Sequence, residues 1–435
     1  MKTQISLLIL LFSLSISSKL LAQQPVFYPE AETFSVDYVK KHSQRFELIN
    51  DKLVGAGAEH LLNAINKAQF TILGEYHGSA QLGKFTTTLL PYLKKANYHN
   101  FALEIGPYSA EKLSQLCDNK TPIVHQLNQL NTKFRVGPLD DLDTPIPFFH
   151  GIEDADFLQR ACELDFNLWG IDQEYYSVGL LHADELLQLA KSKTNYQQIL
   201  KDKAAFDSLF IACYVKDSEG EDDSFKMFEV LTNHQITKAF FAHFDATDQK
   251  AQGIIEALFK TWDIYNRYDI RGGKSHEHRI SYMRQNLSQY YQNNPIKHPK
   301  VFIKIGGVHA EKFFEGRVYD VGNLAYDIAK HNQNTSVHIL CLRRYFKQEE
   351  KIEDWYETYP NSYYRFFFGA GEKDQWTVID LKPIQEQLAS FQIHMPETID
   401  FHDIKNLIRQ YDYILIAPLD QRVQANYLET ARISK

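Results

Sequence analysis

Two short stretches of the chain decide its fold. Residues 70–78 read FTILGEYHG, and residues 100–107 read NFALEIGP. Each begins with a β-rich run and passes into a glutamate that has a glycine one or two positions away, which is typical of a buried strand that ends at a turn. Between them, residues 81–96 place their large apolar side chains at helical spacing. Because strand, helix and strand alternate, the sequence predicts right-handed βαβ units and a parallel sheet.

The same alternation continues outward in both directions. Helices are expected near residues 56–67, from about 109, and over most of 180–287, and further strands at 166–172, 301–305, 337–342, 376–380 and 413–418. We expect these strands to form one central, mostly parallel sheet flanked by helices, which is an α/β fold. Residues from about 110 to 165 are less regular, so we expect them to form a helical or loop-rich cap insertion.

The sequence indicates one domain behind a removable leader. Residues 1–22 carry an early lysine, an apolar run and then Ala22, which is the layout of a signal peptide cleaved after Ala22. The apolar run is short for a membrane crossing of about 20 residues. Residues 23–435 show no internal repeat and no flexible linker. We therefore expect a single α/β domain that is exported, to the periplasm or out of the cell.

The amino-acid composition indicates which class of molecule the protein binds. The 435 residues include 47 Lys and Arg and 55 Asp and Glu, which gives a net charge of −8. A mildly acidic chain without a basic patch has no electrostatic reason to bind nucleic acid, so a small-molecule substrate is expected. The four cysteines lie far apart, and export permits disulfides without the spacing giving their pairing: they are Cys117, Cys162, Cys213 and Cys341.

Polar side chains stand at the ends of four predicted strands. Glu75 and His77 follow the first, Glu104 the second, Asp172 the third and His309 the fourth. In open α/β sheets, ligands bind outside the carboxyl ends of the strands, so these residues are expected to meet. A neutral imidazole or a carboxylate can take a proton from water, and its partner can orient it. The same groups could bind a divalent metal, since His nitrogen and Glu oxygen are common ligands.

These residues also have structural interpretations. His77 could cap a helix, and Glu104 could pair with a structural arginine. Three such coincidences at strand ends, counting His309, favour the catalytic interpretation. No G-x-S-x-G nucleophile motif, P-loop or G-x-G-x-x-G loop occurs in the sequence. A serine nucleophile and a nucleotide cofactor therefore find no support.

A predicted helix supplies further candidates. Arg279, Met283 and Asn286 recur at helical spacing. Arg279 and Asn286 could point at a polar or anionic substrate, or at Glu104, and the alternative is a charged, solvated helix face. We expect Asn286, together with Asp172, to bind the substrate.

Taken together, these motifs resemble the erythromycin esterase superfamily, which also includes the ChaN-like haem-binding proteins and the TraB and Tiki proteins. The two opening stretches resemble its Gly-Glu-x-His-type motif and the glutamate after its next strand. Residues 278–286, HRISYMRQN, resemble its Arg-x-x-x-Met-x-x-Asn helix, and residues 304–309, KIGGVH, resemble its Gly-x-x-His element. Residues 378–381 and 411–414 resemble its closing strands. The motifs follow the family's order and span most of the mature chain.

The resemblance implies a hydrolase, metal-independent or metal-assisted, in which His77 is the general base that activates water. It implies that Glu104 orients or pairs with His77, and that charge is stabilised or substrate held by His309, Glu75 and Arg279. The expected reaction is attack on an ester, lactone or related bond. Macrolide specificity is not carried over, because residues 110–165 match no pattern of the family.

Two other functions within the superfamily are alternatives. A ChaN-like protein would bind haem or iron, with His77 or His309 as an axial ligand. A Tiki-like metalloprotease would hold a divalent metal on His77, Glu104 and His309. The expected cofactor is therefore none or a divalent metal, with haem as the less favoured alternative.

Overall fold

The computed structural model describes residues 31–137, 143–220, 222, 224–267, 273–314, 318–395 and 401–428. The leader expected at residues 1–22 lies outside these ranges. No helix within them is long and apolar enough to cross a membrane.

The strands follow the predicted runs closely and add several short ones. They are β1 (Glu32–Thr33), β2 (Ser43–Ile49), β3 (Lys52–Val54), β4 (Phe70–Glu75), β5 (Tyr98–Leu103), β6 (Asn167–Gly170), β7 (Lys300–Gly306), β8 (Ser336–Arg343), β9 (Tyr345–Gln348), β10 (Lys351–Asp354), β11 (Trp376–Asp380), β12 (Ile393–His394), β13 (Tyr413–Ala417) and β14 (Asp420–Gln421).

The helices include those expected at 56–67, at 81–96 and across 180–287. They are α1 (Val36–Lys41), α2 (Ala56–Lys67), α3 (Ala80–Lys95), α4 (Pro107–Cys117), α5 (Ile123–Phe134), α6 (Ile152–Glu163), α7 (Gly179–Leu189), α8 (Tyr196–Glu219), α9 (Met227–Asn233), α10 (Gln235–Phe241), α11 (Gln249–Asn266), α12 (Gly273–Gln292), α13 (Val321–His331), α14 (Trp355–Thr358), α15 (Arg365–Phe368), α16 (Lys382–Ala389) and α17 (Phe401–Gln410).

A nine-stranded sheet forms the centre of the fold, in the order β3-β2-β11-β13-β8-β4-β7-β5-β6. From β13 to β6 every neighbouring pair is parallel. Strand β11 pairs antiparallel with β13 and with β2, and β2 pairs antiparallel with β3. The prediction of an α/β fold with a mostly parallel central sheet is confirmed. The antiparallel edge was not predicted, because β2 is largely half-buried and carries no continuous apolar run.

Strand β4 lies in the middle of the sheet, and all six of its residues are buried. Ile72 packs into the core on one face, against residues of α12, α13 and α17. Leu73 packs into the core on the opposite face, against residues of α2, α3 and α6. A parallel strand covered on both faces has no solvated side, so its sequence loses the polar–apolar alternation of an edge strand. The central place of β4 in the sheet explains why residues 70–73 form a short strand sequence without a solvated side.

Helices α4, α5 and α6 occupy most of the region expected as a cap insertion, residues 110–165. Their buried side chains join the same core face as Leu73. A disulfide joins Cys117 to Cys162, 45 residues apart, whereas Cys213 and Cys341 are free and buried. Closing a loop of this length restricts the unfolded chain, which typically contributes about 2–4 kcal/mol of stability.

Candidate active site

The carboxyl ends of β4, β7, β5 and β6 lie side by side in the sheet. Glu75 is the last residue of β4, His77 follows two residues later, and Glu104 directly follows β5. After β7 the chain turns through a short 3-10 helix, Gly307–Ala310, which holds His309. Strand β7 lies between β4 and β5 although it comes much later in the chain. Such a change in strand order leaves a crevice at the carboxyl edge, where ligands bind in open α/β sheets.

Glu104 is the centre of the site. Its side chain is 3% exposed; Oε1 accepts a hydrogen bond from Arg279 Nη2 at 2.7 Å, and Oε2 accepts one from the backbone N–H of Gly306 at 2.5 Å. The Nε2 atoms of His77 and His309 lie 3.8 and 3.9 Å from its two oxygens. Burial raises the pKa of Glu104, but Arg279 and the two imidazoles outweigh burial and the net shift is downward. Glu104 is therefore ionised at neutral pH.

The backbone at Gly306 passes close to these groups. A Cβ atom added to Gly306 would lie 3.3 Å from Glu104 Oε2, 3.3 Å from His77 Nε2 and 3.6 Å from His309 Cδ2. A side chain at this position would crowd the carboxylate and the imidazole. Glycine at position 306 keeps the region around them clear, which is a common use of glycine where the backbone approaches a ligand.

His77 is more open to solvent than the groups around it. Its side chain is 39% exposed, against 5% for Glu75, 3% for Glu104 and 5% for His309. Nδ1 faces Glu75 Oε1 at 3.4 Å, which leaves Nε2 directed at Glu104. The ring stacks on Phe148, with centroids 3.9 Å apart and planes inclined by 16°. Burial lowers the pKa of His77, but Glu75 and Glu104 outweigh burial, so the pKa is raised above its usual 6.5.

Lys304 pairs with Glu75 within the same edge of the sheet. Its Nζ lies 2.5 Å from Glu75 Oε2, and both side chains are nearly inaccessible. Burial raises the pKa of Glu75, but Lys304 and His77 together lower it to about 2. Lys304 stands opposite Leu73 in the pairing of β7 with β4, so the register of the two strands fixes this ion pair.

Helix α12 holds Arg279 against two carboxylates. Its Nε lies 3.0 and 3.1 Å from the two oxygens of Asp172, and Nη2 lies 2.5 Å from Asp172 Oδ2 as well as 2.7 Å from Glu104. Asn286, two turns along the helix, donates to the carbonyls of Ile171 and Asp172 at 3.2 and 3.3 Å. Arg279 thus reaches Glu104, one of the targets that its spacing allowed. Asp172 and Asn286 fix the loop after β6, and their expected substrate binding stays a prediction.

Helix α13 orients His309. The Nδ1 atom lies 2.8 Å from Asp320 Oδ2, and Asp320 is also the N-cap of α13, where its Oδ1 accepts from Val321 N at 2.6 Å. Burial lowers the pKa of His309, but Asp320 and Glu104 outweigh burial and raise it above its usual value. The ring of His276 lies 5.7 Å from the ring of His309. His309 therefore presents Nε2 to Glu104 and favours its charged form.

The loop that carries His77 is fastened by a carboxylate from the far end of the chain. Asp420 Oδ2 accepts hydrogen bonds from Tyr76 Oη at 3.0 Å and from Ser79 Oγ at 2.8 Å, and Oδ1 accepts one from the backbone N–H of Gln81 at 3.0 Å. These donors stand on both sides of His77 in the sequence. Asp420 therefore fixes the backbone from which the imidazole projects.

Sequence reasoning missed four residues of the site: Lys304, Asp320, Phe148 and Asp420. The role of Lys304 could have been inferred from the sequence, because a lysine inside the apolar run at 301–305 needs a buried anionic partner. The role of Asp320 as an N-cap could also have been inferred, because an aspartate before a helical stretch is a common N-cap. The sequence pattern gives no indication for Phe148 and Asp420, since both lie in irregular segments whose path depends on the tertiary fold.

The donor set does not suit a divalent metal ion or haem iron. The side chains that would bind a metal converge on Glu104, but Arg279 lies 2.7 Å from that carboxylate and places a permanent positive charge beside it. Across the described ranges, no group of three or more His, Cys, Asp and Glu side chains could hold a metal ion. An axial haem ligand needs an accessible nitrogen and room for the macrocycle, whereas both nitrogens of His309 face carboxylates and Phe148 covers a face of His77.

The fold and the site together define an α/β protein with a His–Glu–Arg cluster at the carboxyl edge of its sheet. No family model and no curated protein matches the sequence. Among solved structures, a succinoglycan biosynthesis protein superposes with a TM-score of 0.55 at 12% identity, over 89% of this chain and 97% of that one. A mutant of the erythromycin esterase EreC in its open conformation gives 0.54 at 16% identity, over 89% of this chain and 100% of that one.

Two further solved structures are similar. A protein from Bacillus cereus gives a TM-score of 0.52 at 12% identity, over 90% of this chain and 98% of that one. Haem-bound ChaN of Campylobacter jejuni gives 0.32 at 12% identity, over 86% and 97%, a superposition too loose to bear on the site. At these identities the likeness establishes the fold. The chain therefore shares its fold with an erythromycin esterase, as the motif resemblance predicted.

Proposed function

We propose that this protein is a hydrolase in which His77 activates water to attack an ester, lactone or related bond. One observation carries the proposal: His77 Nε2 lies 3.8 Å from Glu104 Oε2, a separation at which one water molecule can hydrogen-bond to both. The partial exposure of His77 lets water reach this pair. The fold shared with an erythromycin esterase supports the proposal.

Glu75 determines which nitrogen of His77 acts as the base. As an ionised carboxylate it accepts a hydrogen bond from Nδ1–H, so Nε2 carries the lone pair. A water molecule between His77 and Glu104 donates one hydrogen to Nε2 and the other to Glu104, which aims its oxygen at the substrate carbonyl. Nε2 takes the proton as the new C–O bond forms. The resulting imidazolium is stabilised by carboxylates on both sides.

Arg279 and His309 supply positive charge around Glu104. Charged donors held in place before the reaction stabilise the oxyanion that develops on the carbonyl oxygen. Asp172 and Asp320 keep these two cations charged and fixed. Because the pKa of His309 is raised, it is also suited to protonate the leaving alkoxide.

The pH dependence of hydrolysis tests this mechanism. A pH-stat assay on a panel of esters and lactones should show kcat/KM rising with pH, with a midpoint above the usual 6.5 of histidine, because His77 acts in its neutral form and its pKa is raised. Glu75→Gln removes a hydrogen bond and a charge that raise this pKa, while burial and Lys304 still lower it. The rising limb should therefore move to lower pH.

The double variant Glu75→Gln/Lys304→Met is the control for this shift. In the single variant the buried amine of Lys304 has lost its partner carboxylate, which would perturb folding, and the double variant removes this amine. The rising limb should again move to lower pH, but less far, because Lys304 itself lowers the pKa of His77. A limb that stays in place in both variants, or a rate independent of pH, would count against His77 as the base.

We also propose that the protein acts outside the cytoplasm, after cleavage behind Ala22. The Cys117–Cys162 disulfide supports export, because structural disulfides persist mainly in oxidising compartments. Peptide mapping of the exported protein without reduction should give Gln23 as the first residue and a peptide joined through these two cysteines. An intact leader, or both thiols free in the exported protein, would contradict the proposal.

A further inference from the structure

Arg343 lies in a pocket of aromatic rings at the end of β8. Its guanidinium carbon is 4.1 Å from the ring centroid of Phe346, 4.4 Å from that of Trp355 and 5.0 Å from that of Tyr76. Aromatic faces attract a cation and hold a planar guanidinium in one orientation. The rings therefore fix Arg343 without neutralising its charge.

Arg343 is a cation that forms no ion pair among the residues that the structure describes, and its buried Nε has no hydrogen-bond partner there. The neighbouring Arg344 shows the contrast, because its Nε and Nη2 both contact Asp354 at 2.9 Å. Burial lowers the pKa of Arg343, and the nearby Arg422 lowers it too, whereas Tyr76, Asp420 and Glu353 raise it. An oxyanion that contacts this guanidinium would form charge-assisted hydrogen bonds with it.

Arg343 stands at the same edge of the sheet as the candidate active site. Strands β8 and β4 are parallel neighbours, with Leu340 opposite Gly74, and Arg343 and His77 each follow that pair by three residues. Tyr76, whose ring borders Arg343, directly precedes His77 in the chain. An anion bound by Arg343 would therefore lie beside the reacting end of a substrate.

We propose that Arg343 binds an anionic oxyacid group of the substrate, a carboxylate or a phosphate, next to the site of hydrolysis. The planar guanidinium offers paired N–H donors that match the two oxygens of such a group. The inference rests on the proposed hydrolase function and narrows its substrate class to esters or lactones that carry this negative charge.

The test measures binding separately from turnover. Titration calorimetry of the mature protein at constant ionic strength would use succinate, inorganic phosphate and neutral succinamide as probes. Succinate or phosphate should bind and succinamide should not, and Arg343→Gln should weaken anion binding by about tenfold to a hundredfold. Arg343→Lys keeps the charge and should retain part of the affinity. Preference for succinate over phosphate, or the reverse, identifies which oxyacid the subsite takes.

Two controls separate this inference from the hydrolase proposal. Arg160→Gln removes the same charge from an exposed i,i+3 ion pair with Glu163 on α6 and should leave anion binding unchanged. His77→Ala should lower turnover by about a hundredfold or more but keep anion binding, so that a failure of catalysis and a failure of the subsite give different results. Binding of succinamide as tight as that of succinate, equal anion affinity of Arg343→Gln and the unchanged protein, or no binding of either anion would overturn the inference.

Discussion

Replacing His77 with alanine should lower kcat/KM for ester hydrolysis by about a hundred- to ten-thousand-fold, the usual contribution of a positioned general base. The imidazole Nε2 faces Glu104 Oε2 at 3.8 Å, the separation that a bridging water would span. Glu104 cannot replace it as the base, because its pKa is lowered and its oxygens already accept hydrogen bonds from Arg279 and Gly306. The measurement is the initial rate of acid release at a pH where the unchanged enzyme is fully active.

His60 provides a matched control for this substitution. It is a histidine of similar exposure, 38% against 39% for His77, and it also faces a carboxylate, Asp380, at 2.9 Å. Asp380 pairs with Tyr413, the first residue of β13. His60 therefore lies at the amino ends of the parallel strands, whereas the candidate active site lies at their carboxyl ends. His60→Ala should retain turnover. Added imidazole should restore part of the activity of His77→Ala, since Phe148 remains as a stacking surface. Full activity in His77→Ala would refute the mechanism.

Replacing Arg279 with methionine should cost both stability and activity. The change leaves Glu104 and Asp172, 3% and 7% exposed, without their shared cation. Removing one partner from a buried ion pair typically destabilises the fold by about 3–5 kcal/mol, because the remaining charge is buried and unpaired. Urea unfolding measures the free energy of unfolding. Turnover should fall as well, since Arg279 holds Glu104 and supplies charge for the oxyanion.

Two variants make the Arg279 result interpretable. Arg279→Met/Asp172→Asn should recover part of the stability, because one unpaired charge is gone, while activity stays low. Arg284→Met changes an arginine on the same helix that has no ion pair within the described part of the chain and only faces Tyr319, so it should change stability little. Unchanged stability and turnover in Arg279→Met would show that the ion cluster does not support the site.

Strand positions and strand ends could be predicted from the sequence because the physics that sets them is local. A parallel strand buried on both faces needs a short apolar run, and the carboxyl ends of such strands share one edge. This is why Glu75, His77, Glu104 and His309 were expected together, and why the structure brings them together. Nothing in this reasoning requires knowing which strands are neighbours.

Partners that depend on register or on irregular segments could not be predicted in the same way. Lys304 reaches Glu75 because β7 inserts beside β4, across a gap in sequence of more than two hundred residues. The amide of Asn286 donates to the backbone after β6, a contact that its helical spacing did not predict. Phe148 covers His77 from a segment without periodicity. Such contacts are decided by tertiary packing, which a local pattern does not contain.

The fastening of the His77 loop by Asp420 has a consequence for biosynthesis. The hydrogen bonds that Asp420 accepts from Tyr76 and Ser79 span 344 and 341 positions of the chain. Contacts of such wide sequence separation form late, since the chain entropy of closing the intervening segment must be overcome first. While the chain emerges from the ribosome, His77 therefore lacks its final orientation. The proposed hydrolytic activity is thereby coupled to completion of the fold, and a partly synthesised chain would be inactive.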